Sequence, residues 1–126
     1  MSRKTVATDR APAAIGPYSQ GIVTGNLVFT AGQGGVIPGT NTVAEGVEAQ
    51  TRQCLENIQA ILQAAGTSMD RVVKTTVYLA DINDFGRMNG VYAEFFPSAP
   101  PARTTIQAAG LPLGLLVEIE AIAEIG

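Results

Sequence analysis

Pro100-Pro101-Ala102-Arg103-Thr104-Thr105-Ile106-Gln107 and Leu116-Val117-Glu118-Ile119-Glu120-Ala121-Ile122-Ala123 are the stretches that decide the fold. The two prolines fix an extended backbone, and the residues after them alternate polar and apolar character as a half-buried strand does, which places Arg103 at a strand's first residue. The second stretch alternates too. Leu115, Val117, Ile119, Ala121, Ala123 and Ile125 fall on one face, and Glu118, Glu120, Ile122 and Glu124 on the other, so three carboxylates share a face. If the two strands pair antiparallel, the Arg103 guanidinium and the Glu118 carboxylate come to the same end of the sheet. Taken alone, such a pair is more often an ordinary salt bridge than a reacting one.

Working outward, Arg71 to Leu79 reads as the clearest further strand, with Val73, Thr75, Val77 and Leu79 alternating against Val72, Lys74, Thr76 and Tyr78. Between it and the prolines, Asn83 is expected to cap a helix whose stripe is Phe85, Met88, Tyr92, Phe95 and Phe96. That spacing indicates core rather than an aromatic binding platform. Gly86 and Gly90 lie four apart on one face, each weakening the helix by about 1 kcal/mol relative to Ala, and close backbone packing is the expected compensation. Asn89 borders this stripe, where a structural hydrogen bond and a site role are equally open. Upstream, Val47, Cys54, Ile58, Ile61 and Ala65, with Leu55 and Leu62, form the stripe of a longer helix between Gly46 and Gly66. Cys54 lies on that stripe and reads as a small buried residue, not a nucleophile. Before it come a short strand from Lys4 and a hairpin, Tyr18 to Ala31, turning at Gly25-Asn26. Gly32-Gln33-Gly34-Gly35 lacks the Lys-Ser/Thr and following helix of a phosphate loop and reads as flexible or bulged backbone.

The order of elements implies one α+β domain over residues 1–126, with both helices on one face of a mixed sheet. The other face is left bare. The chain is 46% hydrophobic and 15% charged, against roughly a quarter charged in ordinary domains. A closed homo-oligomer would cover such a face. The net charge of −3 and scattered basic residues argue against a general nucleic-acid binder. A single cysteine excludes an intrachain disulfide. With no signal-peptide pattern and no membrane-length apolar run, the expected location is cytoplasmic. The absence of histidine removes Ser-His-Asp and Cys-His systems and most zinc sites, leaving acid–base work to carboxylates, tyrosines, lysines, backbone or water.

Pro-Ala-Arg-Thr-Thr-Ile-Gln, Gly110-Leu111-Pro112 and Val117-Glu118-Ile119-Glu120-Ala121-Ile122-Ala123 resemble the C-terminal signature of the Rid family, the reactive intermediate deaminases also known as YjgF proteins. Ile15-Gly16-Pro17-Tyr18-Ser19-Gln20, Val73-Lys74-Thr75-Thr76-Val77, and Asn83-Asp84-Phe85 with Asn89 and Tyr92 extend the resemblance over nearly the whole chain. It implies a chorismate-mutase-like fold and a homotrimer with clefts between subunits. It further implies hydrolysis of enamine or imine acids of the 2-aminoacrylate type to 2-oxo acids and ammonia, without metal or organic cofactor. By the same resemblance Arg103 binds the substrate carboxylate, Glu118 binds water, and Tyr18, Gly32, Asn89 and Thr105 line the pocket. Ala31 stands where members usually have Ser, Thr105 where many have Cys, and Gly110 where a basic residue is common, which points the substrate range toward a less polar side chain. Two other readings are a non-catalytic trimer that binds carboxylate metabolites or protects proteins, and an endoribonuclease, an activity also attributed to the family.

Overall fold

The C-terminal alternation becomes strand β7 (Val117–Glu124), whose odd-numbered residues from Val117 to Ala123 are buried. The computed structural model describes residues 3–126. Around β7 it arranges β1 (Lys4–Val6), β2 (Gly21–Thr24), β3 (Leu27–Thr30), β4 (Gln33–Gly34), β5 (Val72–Leu79) and β6 (Ala102–Gln107) in one sheet of order β1-β2-β3-β7-β5-β6, with β4 also on β7. All pairings are antiparallel except β5 with β6. Helices α1 (Val47–Ala64) and α2 (Phe85–Phe95) join one face of this sheet in a shared core. The small α+β fold with a mixed sheet is therefore as expected.

Helix α1 buries the expected stripe completely at Cys54, Leu55, Ile58, Ile61 and Leu62. Its end is closed by a Schellman pair: the Thr67 N–H donates to the Leu62 carbonyl at 2.9 Å and the Gly66 N–H to that of Gln63 at 3.1 Å. Gly66 takes φ +90° there, a conformation open to glycine but disfavoured for other residues. No helix among the described residues is long and apolar enough to cross a membrane.

Several local expectations are corrected. Arg103 is the second residue of β6, not the first. Strand β6 does not neighbour β7; β5 lies between them, and the link from 108 to 116 passes the end of β5, where Ala108 N–H bonds Leu79 O and Ala80 N–H bonds Leu116 O. A register shift between Val72 and Lys74 turns Val73 outward, so Val72 takes the buried place assigned to Val73. Asn83 is not a cap. Asp81 accepts from the Asn83 N–H and opens a 3-10 turn, Ile82–Asp84, ahead of α2. On α2, Met88, Tyr92 and Phe96 are buried as expected, whereas Phe85 is 41% exposed.

The glycines also differ from expectation. Gly35 sits so close to the backbone of α1 at Gln50 that a side chain there would displace the loop. Gly86 and Gly90 have nothing within contact distance of a side chain, so no close packing compensates them. Gly90→Ala should therefore raise stability by about 0.5–1 kcal/mol, read as a higher Tm in thermal unfolding. A lower Tm would show that a second chain packs against α2 at this point.

Candidate active site

Arg103 and Glu118 lie on opposite faces of the sheet. Arg103 pairs with Thr75 across β5, and Thr75 with Ala121, so Arg103 shares the helix-covered face. Glu118 pairs with Tyr78 and shares the uncovered one. Tyr78 also pairs with Ile106, three residues along β6 from Arg103, which separates the two side chains by roughly 10 Å along the strands and roughly 10 Å across them. The expected meeting at one end of the sheet therefore does not occur within one chain. An intervening strand and the two-residue period of β structure prevent it.

On the covered face, the Arg103 guanidinium carbon lies 4.7 Å from the Tyr92 ring centroid and 5.4 Å from that of Phe85. Two aromatic rings of α2 thus hold its plane by cation–π attraction, and its hydrogen-bonding fork is free of any carboxylate among the described residues. Tyr92 is fixed in turn by a 2.7 Å hydrogen bond with the buried Thr75 hydroxyl. Burial pushes the Tyr92 phenol up, against the opposing effects of Thr75 and Arg103. Asn89 follows Phe85 by four residues and precedes Tyr92 by three, which places it on the same stripe of α2. Its Oδ1 and the Thr105 Oγ1 are buried without a hydrogen-bond partner. Buried polar atoms are nearly always paired, so two orphans on the same two elements as Arg103 and its aromatic partners mark a place suited to a polar ligand. The stripe read as core is thus core at Met88, Tyr92 and Phe96, with Tyr92 also meeting the Arg103 guanidinium, while Phe85 is exposed and serves as a platform. The 85/89/92 spacing around a polar residue was the available signal.

On the uncovered face, Glu118 lies against the backbone of Gly32, so closely that any side chain at Gly32 would overlap the carboxylate. Both border a cavity of about 930 Å3 together with Tyr18 and Ala31. Glu118 is held above the ordinary carboxylate range, first by burial and then by the nearby charge of Glu120. The Tyr18 hydroxyl accepts the Ile15 N–H at 3.3 Å. Tyr18, Gly32 and Glu118 are therefore together, and Arg103, Asn89 and Thr105 form a separate group. Among the described residues, no three His, Cys, Asp or Glu side chains are gathered where a metal ion could sit.

Three buried amides, none evident in the sequence, hold the loops of the Glu118 side. Gln20 accepts the Thr8 N–H at 2.6 Å and donates to the carbonyls of Thr8, Ala11 and Pro12. Asn57 donates to the carbonyls of Gly34 and Val36, and Gln50 accepts the Leu116 N–H at 2.8 Å. Asn57→Leu would leave both carbonyls without this donor, at a cost of about 1–3 kcal/mol, measurable as a lower denaturant midpoint.

The raised pKa of Glu118 gives a pH-dependent prediction. Its folded-state value lies above the unfolded one, so its contribution is most favourable below the ordinary carboxylate range and is lost as pH rises through the folded value. Glu118→Gln should therefore have a higher Tm than the parent at pH 7, a difference that shrinks as pH falls and closes below about pH 4. An equal Tm at both pH values would show that the carboxylate is not perturbed.

Comparison with known proteins shows the family of the chain and the likeness of its fold. The family described as Endoribonuclease L-PSP matches residues 8–125. A RutC family protein of Pyrococcus horikoshii is 52% identical over 96% of this chain and 97% of its own. The 2-iminobutanoate/2-iminopropanoate deaminase of Salmonella typhimurium is 51% identical over 95% of this chain and 96% of its own. The crystal structure of the YjgF gene product of Escherichia coli superposes with a TM-score of 0.93 at 48% identity, covering 96% of this chain and 98% of that one. With half of its residues shared along nearly its full length, and with the same fold, the chain belongs to the endoribonuclease L-PSP family, the YjgF/RutC group that includes the imine deaminases.

Proposed function

We propose that the chain hydrolyses 2-imino acids and their enamine tautomers to 2-oxo acids and ammonia, acting as a cytoplasmic homotrimer of one Rid-type domain (residues 1–126) with its clefts between subunits. The observation that carries this reading is the division of the site. An aromatic-held guanidinium with orphaned polar neighbours lies on one face of the sheet, and a carboxylate of raised pKa against a bare glycine backbone lies on the other. Each group lacks what the other has. A second copy packed on the uncovered face would bring its Arg103 to the Glu118 of the first. The deaminase name of the Salmonella relative supports the same chemistry.

In this scheme Arg103 takes the substrate carboxylate through two parallel hydrogen bonds, with Asn89 and Thr105 completing the polar contacts on its side. The bare backbone of Gly32 lets the Glu118 carboxylate lie against it, a water is held by that carboxylate on its cavity side, and Tyr18 bounds the same cavity. The water oxygen adds to the carbon of the protonated imine while the water's proton passes to Glu118 and the C=N electron pair goes to nitrogen, which becomes a neutral amine. Glu118 then gives its proton to the amine of the carbinolamine. The C–N bond breaks, ammonia leaves, and loss of the hydroxyl proton forms the 2-oxo acid. A carboxyl held above its usual range serves this shuttle, since it is a stronger base than an ordinary carboxylate while remaining acidic enough to return the proton. The imine is already electrophilic, and the scheme uses no cofactor.

The test generates imines with an amino-acid oxidase and follows their lifetime with semicarbazide as competing trap. The chain should shorten that lifetime, and Arg103→Lys, which keeps the charge but loses the fork, should lower kcat/KM at least about a hundredfold, near 3 kcal/mol, with the fold intact. If Arg103→Lys matches the parent, the anchor lies elsewhere. Sedimentation equilibrium should show a trimer at low micromolar concentration, and a monomer with full activity would overturn the shared cleft. A chain that binds 2-oxo acids without changing imine lifetime would be a metabolite-binding module. The family description names a ribonuclease; a net charge of −3 and the lack of histidine favour the small-molecule reading.

A further inference from the structure

Two of the most exposed large apolar side chains among the described residues, Ile15 at 77% and Leu113 at 63%, sit on separate loops yet border the same cavity as Glu118. Leu113 also has φ +59°, one of two non-glycine residues in the left-handed region among the described residues, and Gly114 beside it has φ +66°. Consecutive positive φ values are the conformation that Asn-Gly adopts with least strain, whereas leucine there costs about 1–2 kcal/mol. The turn itself, closed by the Leu115 N–H on the Pro112 carbonyl at 3.0 Å, makes no use of a leucine side chain. Strain and exposure both oppose this residue, and such outliers gather where a side chain contacts a ligand.

The surroundings indicate which ligand. Val36 and Val43, which bridge each other across a loop, line the same space with Pro12 and Ala31. Apart from Glu118 no charged side chain of the same chain borders it among the described residues, so once Glu118 and the Arg103 of a second copy are engaged in the reaction an ionic substrate side chain would find no further partner there.

We propose that Ile15 and Leu113 form an apolar collar that makes the site selective for 2-imino acids with bulky apolar side chains over three- and four-carbon ones, a substrate class that rests on the deaminase reading above. The side chain of the substrate lies between the two residues while its reacting carbon faces Glu118. Burial of several extra methylenes against apolar walls gives the discrimination, and Leu113 supplies the wall that the turn alone would not.

Two measurements test this. The first compares kcat/KM on imines made by an amino-acid oxidase from alanine, 2-aminobutyrate, leucine and phenylalanine. The parent should favour the leucine- and phenylalanine-derived imines by at least about tenfold, and Leu113→Asn, which suits the left-handed turn and should fold at least as stably, should reduce that ratio severalfold, as should Ile15→Ser. The second measures binding of 4-methyl-2-oxopentanoate and pyruvate by calorimetry, independently of turnover. The branched acid should bind more tightly to the parent, and the difference should shrink in Leu113→Asn. Turnover of all imines with no preference for bulky ones, or an unchanged ratio in both variants, would overturn the collar while leaving the deaminase reading in place. No turnover of any imine, together with tighter binding of the branched acid, would overturn the deaminase reading and support the collar as a binding preference.

Discussion

The two-residue period of strand β7 is the constraint on which the rest of the structure depends. It commits Val117, Ile119, Ala121 and Ala123 to the helices and Glu118 and Glu120 to the opposite face. Because β5 is paired to β7 on one side and β6 on the other, the same parity passes through the sheet and fixes Arg103 with the helices. Slipping the register of β7 by one residue would bury the carboxylates and expose the core. The hydrophobic driving force that folds the chain therefore also fixes which side of the sheet each functional group occupies.

Regular elements with a strong period were legible in the sequence. The buried stripe of α1 and the alternation of β7 follow from the order of apolar residues alone, and both are present as expected. Where one residue interrupts the period, the reading failed. Val73 has the composition of a strand interior, but the bulge that turns it outward is set by pairing with β7, which lies more than forty positions away in the chain. The place of β5 between β6 and β7 was hidden for a similar reason: neighbours in sequence are the simplest assumption for pairing, and only the path of the 108–116 link excludes it here.

The site was legible as residue types and not as an arrangement. Glu118, Gly32 and Tyr18 do gather around one cavity, while Arg103, Asn89 and Thr105 gather on the far face. What the sequence could not show was the supporting layer. Gln20, Gln50 and Asn57 look like ordinary polar residues, yet Gln20 bonds the backbone 8 to 12 positions before it, and Gln50 and Asn57 reach backbone groups much farther along the chain. Side-chain amides carry both donors and acceptors, so they can close irregular loops in a way that hydroxyls and carboxylates cannot. Loop shape near Glu118 is thus encoded in side chains of β2's approach and of α1.

Cys54 lies fully buried on α1, its thiol pushed up by burial and by the field of Glu118, with Sγ against the Val117 carbonyl at 3.7 Å. Nucleophilicity toward electrophiles belongs to the thiolate, and this position denies it both ionisation and access. The chain's one thiol is therefore out of reach of small electrophiles. The packing that stabilises α1 thereby shields this thiol, and loosening of the helix would be what exposes it to alkylation.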